Sequence, residues 1–178
     1  MSIILCGAIC DGEKLAELAN TAIIMMPNDR WEEIYSPWPA EGFAGRFDEM
    51  YSCVRYMVEP YVNKDKIYIC GYSLAGLFAL KSFFASDIFA GAVCCSGSLW
   101  YPEWQQRFED KRTKTGKVYL SIGNRERKGN VKEVTQWQYD YCISNGYDTI
   151  YEKNPGGHFS NVEERLAKGI RWMIGEKA

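Results

Sequence analysis

Lys66-Ile67-Tyr68-Ile69-Cys70-Gly71-Tyr72-Ser73-Leu74-Ala75-Gly76-Leu77 is the stretch whose reading decides the fold. Lys66–Gly71 is a short apolar run rich in Ile and Tyr, the pattern of a strand buried on both faces. A helix is expected over Leu74–Phe84, and Ser73 falls in the sharp turn between the two. Strand and helix nearly touch in such a turn, so small residues are needed two before and two after the serine. Gly71 and Ala75 meet that need, and Gly76 lets the helix pack closer still. The turn holds its serine in a strained backbone conformation. It also presents the Leu74 N–H at a helix N-terminus, where partial positive charge favours an oxyanion. A glycine-rich βα turn with an incidental capping serine is the bland alternative, and the flanking strand and helix argue against it.

Working outward, similar apolar runs bounded by turn residues occur at Ser2–Gly7, Thr21–Pro27, Gly91–Gly97, Lys117–Gly123 and Tyr147–Glu152. Helical patterns lie between them. Phe47, Met50, Val54, Met57, Val58 and Tyr61 share one face; so do Val131, Val134, Trp137 and Tyr141, and Val162, Leu166, Ile170 and Met173. Ser160 with Glu163 fits a capping box, and Asn130 with Glu133 is a weaker one. Strands alternating with helices predict an α/β fold, a three-layer α/β/α sandwich around a mainly parallel sheet of about six strands. Ligands bind such sheets at the carboxyl ends of the strands.

Two more chemically capable residues fall at those ends. His158, the only histidine in the chain, follows the last strand in Asn154-Pro155-Gly156-Gly157-His158. A serine hydroxyl needs a base to take its proton, and imidazole is the usual one near neutral pH. Glu126 follows the strand Lys117–Gly123 in Gly123-Asn124-Arg125-Glu126. A carboxylate there can accept from the imidazole Nδ1–H and fix its tautomer. The alternatives at this position are a solvated charged loop, since Arg125, Arg127 and Lys128 surround it, or ring orientation by Asn124.

Composition sets the frame. The chain has 178 residues, is 47% hydrophobic and 25% charged, and carries a net charge of −2. That is the profile of a single globular domain over residues 1–178, long enough to bury a core without staples. No basic block points to nucleic acid. The seven cysteines match no zinc spacing, and most lie in apolar runs. They read as reduced, buried thiols, which implies a cytoplasmic location. The run Ser2–Cys10 has no preceding Lys or Arg and is too short to span a bilayer, so it reads as a strand. No membrane association is expected, and no metal.

Gly71-Tyr72-Ser73-Leu74-Ala75-Gly76-Leu77, Ser96-Gly97-Ser98-Leu99-Trp100, Gly123-Asn124-Arg125-Glu126, Gly157-His158-Phe159 and Tyr35-Ser36-Pro37-Trp38-Pro39 together resemble the α/β-hydrolase superfamily. Within it the resemblance is to the esterase family that includes esterase D and enterochelin-esterase-like proteins. It implies a serine esterase that uses no cofactor and acts on a small-molecule ester. The order Ser73, Glu126, His158 matches the nucleophile–acid–base order of that superfamily. Ala75 replaces a common Gly, and the acid is Glu rather than the commoner Asp. The resemblance also implies a minimal sheet lacking the first two hydrolase strands, of order 4-3-5-6-7-8 in family strand numbering. The second oxyanion donor is then expected at the Ala8 backbone N–H, beside that of Leu74.

Aromatic residues make up 15% of the chain. Trp31, Tyr35, Trp38, Trp100, Tyr101 and Trp104 fall in loops at the expected catalytic edge. Each either lines a substrate pocket or seals the core beneath a long loop; Trp38, Trp100 and Tyr35 are the candidates for substrate contact. Thioester or amide cleavage with the same residues, and a retired hydrolase serving as a binding module, are the other functional readings. The open edge Thr21–Pro27 is a candidate for pairing with a second copy of the chain.

Overall fold

A computed structural model of the protein describes residues 1–175. Six strands form one parallel sheet: β1 (Ser2–Gly7), β2 (Ile24–Met25), β3 (Lys66–Tyr72), β4 (Phe89–Cys95), β5 (Lys117–Gly123) and β6 (Asp148–Asn154). Their order is β2-β1-β3-β4-β5-β6, the order that the family resemblance implies. The helices are α1 (Gly12–Ala19), α2 (Trp31–Ile34), α3 (Phe47–Val58), α4 (Leu74–Ala85), α5 (Trp104–Arg107), α6 (Val131–Ser144) and α7 (Val162–Ile174). A 3₁₀ turn, Glu59–Tyr61, extends α3.

Strand side chains alternate between the two faces, so each strand feeds two cores. Leu5, Ile67, Ile69, Ala92, Cys94, Val118 and Leu120 pack with residues of α3, α4 and α6 on one side. Ile4, Cys6, Tyr68, Cys70, Tyr72, Val93, Cys95 and Tyr119 pack with α1 and α7 on the other. Helix α4 is buried nearly all round, from Leu74 to Phe84, because it lies centrally against β3 and β4 under a cover of aromatic side chains.

Several local expectations need correction. The run Thr21–Pro27 pairs over only two residues, Ile24 and Met25, opposite Leu5 and Cys6. Such a short edge offers few free backbone groups. β6 is the other edge, and its side chains are mostly half-buried rather than covered on both faces. Met57 is 41% exposed, whereas Phe47, Met50, Val54 and Val58 face the core. Neither expected capping box forms. Asn161 and Asn130 are the N-caps, and neither side chain bonds its helix. The Ser160 hydroxyl accepts from the Gly157 N–H at 3.0 Å instead. One cap went unread: Asp11 accepts from Glu13 and Lys14 N–H at the start of α1.

All seven cysteines are free thiols. Five are buried, Cys10 is half-buried and Cys53 is exposed on α3. Among the described residues no helix is long and apolar enough to cross a membrane.

Candidate active site

The turn after β3 is built as its sequence demands. Ser73 has φ 56° and ψ −123°, a strained conformation for a residue with a side chain. Three backbone bonds hold it there. Ser73 N–H donates to Cys95 O at 3.0 Å, and Ser73 O accepts from Ser98 N–H at 3.0 Å and Leu77 N–H at 3.2 Å. A Cβ on Gly71 would lie 2.1 Å from Ala75 O, so only glycine lets the helix return this close to the strand. Leu74 opens α4, and its N–H has no helical carbonyl behind it.

The other two side chains arrive on loops stitched to each other. After β5, Asn124 N–H donates to Asn154 O at 2.8 Å and Arg125 N–H to Gly156 O at 2.9 Å. Asn124 Oδ1 accepts from Gly156 N–H at 3.1 Å, so Asn124 staples the loops and does not touch the imidazole. These bonds set the His158 loop over Glu126.

Ser73, His158 and Glu126 form one hydrogen-bonded line. His158 Nε2 lies 3.0 Å from Ser73 Oγ, and His158 Nδ1 lies 2.9 Å from Glu126 Oε2. The imidazole side chain is 29% exposed, while that of Glu126 is 4% exposed. A buried carboxylate at Nδ1 favours the tautomer with its proton there, leaving Nε2 free to accept from the serine. Burial alone would raise the Glu126 carboxyl above its ordinary pKa. Hydrogen bonds from His158, the Ser96 hydroxyl and the Gly123 N–H outweigh that and hold it below. The last two bonds, 2.5 and 2.6 Å long, both end on Oε1.

Further residues join the line that the sequence did not single out. Ser98 Oγ is 3.4 Å from Ser73 Oγ. Tyr72 donates its hydroxyl proton to His158 O at 2.6 Å. Arg165 donates to the Tyr72 oxygen at 2.5 Å and to Ser121 Oγ at 3.2 Å, and lies 3.8 Å from Glu126 Oε1. One of these had a readable signal. Arg165 falls on the buried stripe of α7 with Leu166, Gly169, Ile170 and Met173, where an unpaired charge is not tolerated.

A cleft of about 330 Å³ opens over the serine, lined by Ser73, Trp100, Glu126, Arg127, Lys128, His158 and Phe159. Lys128 Nζ sits 3.9 Å from the centre of the Trp100 ring. Trp100 is thus the expected aromatic that reaches the cleft. Tyr35 and Trp38 do not line it. Tyr35 is fully buried and bonds Pro27 O at 2.5 Å; Trp38 donates to Pro102 O at 3.0 Å and stacks on Trp104. Both find their polar partner in a loop carbonyl, which makes them core residues. Ala8 is buried, immediately after Gly7, which pairs with Gly71 across the sheet. Its turn therefore lies beside the Ser73 turn. Among the described residues no group of three or more His, Cys, Asp or Glu side chains is arranged to hold a metal ion.

The fold is shared with many solved structures. The BES protein from Bacillus cereus superposes with a TM-score of 0.72 at 18% identity, over 99% of this chain and 83% of its own. The enterobactin esterase FES from Shigella flexneri gives 0.66 at 17% identity, over 98% of this chain and 52% of its own. An esterase from Pyrobaculum calidifontis gives 0.64 at 9% identity, over 97% and 76%. The chain has an esterase-like α/β-hydrolase fold. No family model and no curated protein matches its sequence.

Proposed function

We propose that the protein is a serine hydrolase that cleaves a carboxylic ester through an acyl-enzyme. The observation that carries this reading is the unbroken line from Ser73 Oγ through the His158 ring to Glu126 Oε2, with both contacts at 2.9–3.0 Å. In this reading His158 takes the Ser73 proton as the hydroxyl attacks the ester carbonyl, and Glu126 stabilises the imidazolium that forms. The Leu74 and Ala8 N–H groups hold the tetrahedral oxyanion. The leaving alcohol receives the proton from His158, and water then repeats the sequence on the acyl-serine. The strained backbone of Ser73 supports its role as nucleophile, because strain of this kind gathers where side chains must be aimed.

A fluorophosphonate tests the reading directly. Mass spectrometry should locate one adduct at Ser73, absent from Ser73→Ala, and a series of para-nitrophenyl esters should then be turned over. Thioesters and amides run beside them separate those substrate classes. Folded protein that takes no label would overturn the enzyme reading and leave a ligand-binding module.

A further inference from the structure

A second layer of side chains lies beneath the line from Ser73 to Glu126, and its hydrogen bonds have only one consistent direction. A guanidinium can only donate. Arg165 Nη1, 2.5 Å from the Tyr72 oxygen, therefore makes that oxygen an acceptor. The single proton of the Tyr72 hydroxyl goes to His158 O at 2.6 Å. Ser96 Oγ also has one proton and two neighbours, Glu126 Oε1 at 2.5 Å and the Tyr72 oxygen at 3.2 Å. The shorter contact, to a carboxylate, takes it. Two polarised chains result. Arg165 donates to Tyr72, which donates to the backbone of His158, and Ser96 donates to Glu126.

Both chains are buried. The Arg165 side chain is 3% exposed and Ser96 is 1% exposed. Arg165 Nη2 also donates to Ser121 on β5 at 3.2 Å, so the guanidinium fork has fixed partners on two strands. Its positive charge lies 3.8 Å from Glu126 Oε1, and among the described residues no other Lys or Arg forms an ion pair with that buried carboxylate. Arg165 itself sits in the first turn of α7, the helix that follows the His158 loop. One side chain thus grips the helix after the loop, the strand-end tyrosine beneath it and the acid beside it.

We infer that Arg165 and Tyr72 are positioning residues that fix the backbone of His158, and with it the imidazole, against Ser73. This rests on the reading of Ser73, Glu126 and His158 as the reacting groups. Tyr72 acts on the base through its carbonyl, and Arg165 acts through Tyr72, with its guanidinium 3.8 Å from Glu126 Oε1. Neither touches substrate.

Tyr72→Phe removes one oxygen and keeps the ring that packs edge-on to His158 at 5.7 Å. With para-nitrophenyl acetate, and sites counted by fluorophosphonate titration, kcat should fall about ten- to a hundredfold while KM stays within about twofold, because a misplacement of about 1 Å at a reacting group costs on the order of a hundredfold. In a Glu126→Gln background the same change should cost less than about threefold, since the ring it positions is already mis-set. Should Tyr72→Phe fail to fold, Arg165→Lys reads the same quantities. It keeps the charge but loses the fork that reaches Tyr72 and Ser121 together. Unchanged kcat per titrated site with lowered thermal stability would assign these residues to the core alone and overturn the inference. Full additivity with Glu126→Gln would do so as well. Wild-type protein that neither labels nor turns over would instead bring down the hydrolase reading on which it stands.

Discussion

Replacing Glu126 by glutamine should cost far more than the loss of a charge suggests, and the reason is geometric. Glu126 Oε1 receives two donors, Gly123 N–H at 2.6 Å and the Ser96 hydroxyl at 2.5 Å, whereas Oε2 receives only His158 Nδ1 at 2.9 Å. The single carbonyl oxygen of glutamine will stay with the two buried donors, because stranding them is expensive. Its amide nitrogen then faces Nδ1. That nitrogen can only donate, so Nδ1 must give up its proton and become an acceptor. The proton moves to Nε2, 3.0 Å from Ser73 Oγ, and the ring can no longer accept the serine proton. An enforced wrong tautomer lowers kcat by about 10⁴-fold in serine hydrolases. At 1.36 kcal/mol per decade this is on the order of 5 kcal/mol of transition-state stabilisation. The measurement is ester turnover per mole of folded protein, with circular dichroism correcting for any folding loss when Arg165 is deprived of its nearby anion. The tautomer is directly readable, because the chain has one histidine and its imidazole ¹⁵N spectrum therefore contains one residue. A loss below about tenfold, with the proton still on Nδ1, would refute both the role of Glu126 and the reasoning that leads to it.

Three further outcomes are expected. Ser73→Ala and His158→Ala should each remove nearly all turnover, and the double variant should lose little more, because the pair acts as a unit; strictly additive losses in kcat would separate them. The Glu126 carboxyl is held below its ordinary pKa by its donors, against the opposing effect of burial, so its contribution to stability is present above the unfolded carboxylate range and is lost as pH falls through the lowered folded value. The gap in urea midpoint between wild type and Glu126→Gln should therefore narrow on acidification below about pH 4, and a gap that widened there would contradict the sign of the shift. A thiol reagent should modify the exposed Cys53 quickly in native protein and Cys10 slowly, since burial pushes the Cys10 thiol up to about 11, while the five buried cysteines wait for unfolding; mass spectrometry of peptides after a short pulse decides this.

The parts of the molecule that were legible in its sequence are those whose physics is local. A turn at Ser73 with Gly71 two before it announces a strand and helix in contact, because the clash that Gly71 avoids is with Ala75, four residues away in the chain. The strands were legible for a similar reason. Apolar runs of six or seven residues between turns have few other uses, and only Thr21–Pro27 gave less pairing than its composition implied. Ser160 shows the limit: the spacing to Glu163 fits a cap, but the Gly157 N–H took the hydroxyl first. The aromatics show it more sharply. Tyr35, Trp38 and Trp100 are alike in sequence, yet two bury themselves against the carbonyls of Pro27 and Pro102 and the third lines the cleft. An amphipathic ring satisfies its polar end wherever an acceptor lies, and that acceptor is set by loops folded from distant segments. The layer under Ser73, His158 and Glu126 was invisible for the same cause. Tyr72, Ser96 and Arg165 come from β3, the end of β4 and α7, and only the closed sheet brings them together. What the chain did display was a charge on the apolar stripe of α7. A buried arginine needs partners, and the residues able to satisfy it at the carboxyl end of a parallel sheet are those already gathered around Glu126 and His158. Its placement on that stripe is therefore a constraint on where the site can form, written into the helix that follows the histidine loop.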